Sequence, residues 1–357
     1  MVLKKFLNLL IIFILIFTGR LKTYSQIGGT SIYSFLNLPS SANQVSFGGY
    51  NNSLNEISLV YENMSLLSDS MLNFFTLSYN NYFSGIYYIN FGYCTRFFRN
   101  NRVLIGKKFI NYGEFIRTDE IGREIGKFYA NDFLMYLGSS IKIDTFPIYF
   151  GICIKPILSV YESYKSFGLA FDLSFTYFDK KGMNFSLVSR NIGMQIKSYT
   201  ENKEPLTYAI DLLVSKKLEN SPFTLQLSLI ELQNFKMSEY KRKGNEQDVN
   251  KVEQIGEELL YHLVCGASIK LIKSFYINFG YNFKRRKELV TEGKKGLTGF
   301  SYGFNLITDN FQISFGRSQY FVGQSISMVT LNLNCERIYK KFILNEDNSV
   351  FIWKNKK

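Results

Sequence analysis

The feature that most constrains this chain is a two-residue rhythm repeated along most of its length. Phe275-Tyr276-Ile277-Asn278-Phe279-Gly280-Tyr281-Asn282-Phe283 places a large apolar side chain at every odd position. Leu169, Phe171, Leu173, Phe175 and Tyr177 alternate with Ala170, Asp172, Ser174 and Thr176, and Phe223, Leu225, Leu227 and Leu229 with Thr224, Gln226 and Ser228. A strand sends successive side chains to opposite faces, so each segment builds one apolar face and one small or polar face. A soluble sandwich turns the apolar face into a core. A transmembrane barrel turns it out to lipid and keeps a polar lumen. The segments are about 9–12 residues long, which suits a tilted membrane strand. Their second face is rich in Gly, Ser, Asn and Thr, which suits a crowded lumen.

The connections point the same way. Tight turns built from Gly, Pro, Asn and Asp, such as Asp179-Lys180-Lys181-Gly182 and Thr308-Asp309-Asn310, follow every second strand. Longer connections separate the others: Ile116–Asp132, Gln195–Pro205, Asn234–Glu258 and Lys284–Thr298. Outer-membrane barrels alternate short periplasmic turns with long outside loops in this way. The expected fold is therefore all-β, a transmembrane antiparallel β-barrel of about 14 strands over residues 71–335. Residues 26–70 alternate less and are expected to plug the lumen or cap its periplasmic mouth, with a short helix over Ser31–Leu38. Residues 336–357 form a basic C-terminal tail.

Lys4 and Lys5 precede the apolar run Phe6–Phe17, and Thr23 and Ser25 stand at small-residue spacing before Gln26. This three-part layout predicts a signal peptide over residues 1–25 and export to the cell outer membrane. The four cysteines, Cys94, Cys153, Cys265 and Cys335, contain no CxxC pair. Strand parity puts the first two with the polar residues and the last two with the apolar ones, as packing residues.

The chain of 357 residues carries a formal charge of +13 but only one His. A single His leaves little room for metal or acid–base chemistry, and no phosphate loop, GxSxG or metal-ligand cluster is present. No catalytic, metal or cofactor site is expected. His262 reads as a packing or lumen residue within a strand. The basic charges are dispersed between membrane-type strands of an exported chain, so nucleic acid is not an expected partner.

Several segments stand out in order: Gly28-Gly29-Thr30 through Pro39-Ser40-Ser41-Ala42, Leu66-Leu67-Ser68-Asp69-Ser70-Met71, Arg190-Asn191-Ile192-Gly193 through Lys197 with Glu204-Pro205-Leu206, Gly280–Leu289 and Gly296–Phe304. Read together, they resemble the PorQ family of outer-membrane proteins of the type IX secretion system of Bacteroidota. The chain departs from the wider FadL-type pattern at Asn63-Met64-Ser65, where Asn-Pro-Ala is usual. The resemblance implies a FadL-like barrel related to PorV, with an N-terminal plug. It also implies a non-enzymatic anchor for the attachment complex that processes cargo: a PorZ-like surface protein, with PorU and PorV, beside lipopolysaccharide. Gly28, Gly29, Pro39, Asn191 and Gly193 are the structural residues of those motifs, Gly193 marking a kink or close backbone approach. Lys284, Arg285, Arg286 and Lys287 are the candidate partner contact, since Arg forks suit acidic surfaces and phosphates; a snorkelling rim is the plainer alternative. A FadL-like transporter of hydrophobic small molecules is the competing function.

Overall fold

The computed structural model describes residues 31–53, 56–97, 101–143, 146–234, 251–290, 296–321 and 323–339. The expected signal peptide, Gly28 and Gly29, most of segment 234–258 and the tail beyond 339 lie outside the described residues.

Fourteen strands follow one another: β1 (Phe74–Asn81), β2 (Tyr87–Phe97), β3 (Asn101–Thr118), β4 (Glu124–Ile143), β5 (Ile148–Tyr161), β6 (Tyr164–Phe178), β7 (Met183–Lys197), β8 (Ala209–Lys217), β9 (Phe223–Leu229), β10 (Leu263–Ile272), β11 (Phe275–Asn282), β12 (Phe300–Ile307), β13 (Phe311–Phe321) and β14 (Gln324–Asn334). Each pairs antiparallel with its sequence neighbours, and β1 pairs with β14, closing the barrel. Every strand therefore has a neighbour on both sides.

Burial follows residue parity. On β5, Cys153, Lys155, Ile157 and Ser159 are buried while Ile152, Ile154 and Leu158 are exposed. On β14, Met328 and Thr330 are buried and Val329 between them is 46% exposed. Leu77, Phe91, Ile105, Leu137, Leu227, Phe279 and Phe304 join the exposed apolar set on the outer face. An apolar belt of this extent is the surface of a protein solvated by lipid rather than by water. Cys94 and Cys153 lie buried on the inner face, Cys265 and Cys335 are half-buried, and all four are free thiols.

The lumen is filled by the residues that precede β1. Ile32 stands at the long-connection mouth, where its amide donates to the Pro205 carbonyl at 3.0 Å and bridges to Leu206. The chain then descends through a 3-10 turn at Ser34–Asn37 and the short helix α1 (Ala42–Ser46). Further 3-10 turns at Ile57–Leu59, Met64–Leu66 and Asp69–Met71 lead to β1 at the opposite mouth. The helix expected over Ser31–Leu38 is only that first turn, because Tyr33 before it adopts a left-handed φ of 57°. Helix α1 starts where Ser41 accepts from the Gln44 amide at 3.2 Å while the Gln44 side chain accepts from the Ser40 amide at 2.7 Å.

An irregular plug leaves backbone groups that no ladder satisfies. The polar lumen face supplies the partners. Ala42 N–H donates to Thr330 and Ser65 N–H to Ser174, both at 2.9 Å. The carbonyls of Leu38, Gly48 and Leu67 accept from Lys108, Asn282 and Ser140. Gly280 and Gly316 are required where the plug backbone passes close to the wall, since a Cβ at the first strikes the main chain of Phe47 and Gly48 and at the second that of Ala42.

Two readings of the long connections are corrected. Residues 116–132, read as a loop, continue β3 and β4 as a two-stranded ribbon. β2 pairs with β3 only as far as Asn111, and β5 with β4 only from Ala130. The ribbon therefore stands about seven residues, roughly 23 Å, above its neighbours. It is solvated on both faces, so charged residues interleave with apolar ones and hide the two-residue rhythm. His262 ends a helix, α2 (Lys251–His262), and β10 begins one residue later. It is buried, with Nδ1 2.6 Å from the Ile230 carbonyl, so its packing role holds although its element differs.

Candidate functional site: a charged lumen held to its plug

Inside the barrel, strand parity places Lys108 on β3, Lys155 on β5, Asp172 on β6, Arg190 on β7 and Asp211 on β8, all facing the lumen and all buried. Arg190 lies 2.7 Å from Asp211 and 3.2 Å from Glu62 of the plug, with its guanidinium over the Tyr50 ring. Lys155 pairs with Asp172 and donates to the Asn191 side chain at 3.3 Å. Lys108 donates to the Leu38 carbonyl at 2.8 Å, and Ser40 donates to Glu62 at 2.6 Å. Three barrel cations therefore converge on one plug carboxylate and its surroundings. Burial disfavours the charge on Glu62, but Lys155, Arg190 and Lys108 outweigh it and hold the carboxyl below its ordinary range. Burial dominates at Glu56, whose carboxyl is raised although Ser58, Asn332 and Ser314 donate to it.

These charges were not singled out from the sequence, where the inner face reads as Gly, Ser, Asn and Thr. The signal was available: Lys155, Asp172, Arg190 and Asp211 each occupy the small-residue parity of an otherwise lipid-facing strand.

Asn191 is the hinge of this network. It adopts φ 58°, a left-handed conformation that Asn tolerates, at a bulge where β7 gains one residue on β6 between Ser189 and Ile192. Its amide donates to Asp172 at 2.8 Å and its side chain to the Thr207 carbonyl at 3.0 Å and to Asn37. Gly193 pairs with Ala170, and a Cβ there collides with the backbone of Leu169 and Ala170. Pro39 is buried where the plug turns toward α1. Above Arg190, which pairs with Ala209, the β7–β8 ladder stops, and Asn191–Lys197 pairs with β6 alone. The connection 198–208 and Ile32 cover that part of the wall.

The basic run lies on helix α3 (Phe283–Leu289), capped by Asn282. Lys284 pairs with Glu231 at 2.7 Å. The Arg285 guanidinium sits 4.0 Å from the Tyr320 ring centroid, donates to its hydroxyl at 3.1 Å and also contacts Ser318. Arg286 donates to the Gly296 carbonyl at 2.8 Å, and Lys287 lies over the Tyr261 ring at 4.8 Å. All four cations are engaged within the chain, fastening α3 and α2 across the long-connection mouth. Among the described residues, no group of three or more His, Cys, Asp or Glu is placed to hold a metal ion.

Fold and lumen together define a closed fourteen-strand barrel with a lipid-type exterior and an ion-paired internal plug. No family model and no curated protein matches the chain. Among solved structures it is similar to the toluene transporter TodX of Pseudomonas putida, at 10% identity over 82% of this chain and 96% of that one, with a TM-score of 0.45. It is also similar to the KdgM porin, at 8% identity over 73% and 98% of the two chains, with a TM-score of 0.31. A mutant of the Rh. blastica porin gives 7% identity over 73% and 97%, with a TM-score of 0.30.

Proposed function

We propose that this protein is a non-enzymatic barrel of the cell outer membrane that anchors the surface attachment complex of a type IX secretion system. The observation that carries this reading is the plug, threaded from one mouth to the other and tied to the wall by the buried Glu62–Arg190 ion pair. A barrel whose plug is fastened in this way is suited to presenting its outer elements. By the usual outer-membrane arrangement the short turns face the periplasm and the long connections face outward. The β3–β4 ribbon then rises from the cell surface with Phe115, Ile116, Ile121 and Ile125 exposed, offering apolar contact area to a surface protein. The PorQ-like order of motifs supports a PorZ-like partner, with PorU and PorV in the same assembly and lipopolysaccharide alongside. The test is a gentle detergent pull-down of the tagged, full-length protein with mass spectrometry of what accompanies it. Recovery of a PorZ-like protein supports the anchor; a barrel recovered without protein partners refutes it.

A second reading rests on one specific observation. The β7–β8 ladder ends at Arg190–Ala209, so the upper wall there is closed by a connection and the plug start instead of by paired strands. Displacing those pieces opens a lateral route for a FadL-like transporter of hydrophobic small molecules. A hydrophobic compound copurifying in the lumen, with no surface protein, favours this reading.

A further inference from the structure

At the short-turn mouth lies a cavity of about 480 Å³, bordered on the plug side by Ser53 and Ser70. That volume lies within the ~300–1,000 Å³ range of small-molecule sites. Its wall is the last lumen-facing position of successive strands: Lys217 on β8, Thr224 on β9, Lys270 on β10 and Tyr276 on β11. The register sets them side by side. Lys217 is directly opposite Thr224, Thr224 is opposite Ser268, and the Lys270 amide donates to the Pro222 carbonyl at 2.9 Å. The two lysines therefore flank the Thr224 hydroxyl across three adjacent strands, with Ser221 on the turn beside them.

Charge balance separates this wall from the deep lumen. Deep in the lumen Lys155 and Arg190 each have a carboxylate partner. Lys217 and Lys270 make no ion pair among the described residues; Lys270 has only the Tyr276 ring, 5.8 Å from its ammonium. Across the same cavity the exposed Asp309 pairs with Arg337 at 3.2 Å. Two ammonium groups without a carboxylate partner, Lys270 half-buried and Lys217 exposed, give this side of the mouth a positive potential. Hydroxyls between them supply the directional donors that a carboxylate or phosphate oxygen accepts.

We propose that this vestibule binds a small organic anion, its carboxylate or phosphate group held between Lys217 and Lys270 against the Thr224 hydroxyl. The site is independent of the anchoring role and, in the orientation given above, opens to the periplasm.

The experiment uses the full chain in an uncharged detergent, titrated calorimetrically with citrate and with inorganic pyrophosphate at fixed ionic strength. Saturable binding of at least one probe is expected, weakened roughly tenfold or more in Lys217→Ala/Lys270→Ala. Lys180→Ala/Lys181→Ala, which removes two exposed cations from the neighbouring turn, is expected to bind as the unaltered protein does. Binding of citrate alone identifies a carboxylate site, and binding of pyrophosphate alone a phosphate site. Absence of saturable binding for both probes overturns the proposal. So does equal weakening in the Lys180/Lys181 variant, which makes the effect a property of rim charge alone. Should the double variant fail to close its barrel, Lys217→Gln carries the same comparison with one ammonium removed.

Discussion

Replacing Arg190 by Ala tests the idea that ion pairing, and not shape alone, keeps the plug seated. The Arg190 side chain is 5% exposed and Glu62 and Asp211 are 14% and 1% exposed, so the docked state holds two carboxylates around one guanidinium. With the plug withdrawn, water enters the lumen and hydrates all three groups. The penalty for removing the cation therefore falls on the docked state. Breaking a buried pair by deleting one partner costs about 3–5 kcal/mol. At about 1.4 kcal/mol per decade, the ratio of docked to undocked plug falls by roughly a hundredfold to a few thousandfold. Amide hydrogen exchange reads this directly. The amides of Leu66 and Leu67, bonded within the turn Met64–Leu66, lose protection by that factor, while ladder amides of β13 and β14 keep theirs. Conductance across a planar bilayer rises in parallel. Unchanged protection of the plug amides, in a barrel whose ladder amides remain protected, refutes the reasoning and assigns plug retention to packing.

The same carboxylate predicts a pH dependence. Because the docked Glu62 carboxyl lies below its ordinary range, its contribution to docking is complete above the usual carboxylate range and is lost as pH falls through the lowered value; plug-amide exchange measured from neutral to acid pH follows that course, and pH-independent docking contradicts it. Leu227→Arg puts a cation on the outer apolar face, where Leu227 is 44% exposed; near the bilayer midplane this costs about 2–4 kcal/mol of unfolding free energy in lipid vesicles, whereas no loss places the residue in water. Arg285→Ala removes the stack on Tyr320 and the hydrogen bond to its hydroxyl, worth about 0.5–2 kcal/mol for the cation–π contact. Limited proteolysis then cuts sooner around α3 with the barrel intact. Loss of a copurifying surface protein in that variant assigns the Lys284–Lys287 run to partner contact, and full retention removes it from that role.

The barrel was legible because lipid enforces a simple rule on each spanning strand: every second side chain is apolar. Phe275–Asn282 and Phe311–Phe315 obey it, and the tight turns at 179–182 and 308–310 punctuate it. Where lipid is absent the rule lapses. The β3–β4 ribbon, with Glu114, Ile116 and Arg117 among its solvated residues, reads as a loop for that reason. The stretch before β10 reads as strand because Leu259, Leu260 and Leu263 are apolar at spacings that fit either element; the packing of α2 against α3 decides it.

What the sequence by itself determined is the class of solvent on each side of the wall, since alternation, strand length and turn spacing are local properties. The tertiary structure decided what fills the lumen. Lys155 and Asp172 lie 17 residues apart in the chain, and Glu62 and Arg190 are separated by 128. Nothing in one strand says that its inward charge meets an opposite one. Closure brings the inner faces of β3 to β8 together around the plug, and burial then makes each unpaired charge costly. The pairings are therefore properties of the closed barrel, not of any segment within it.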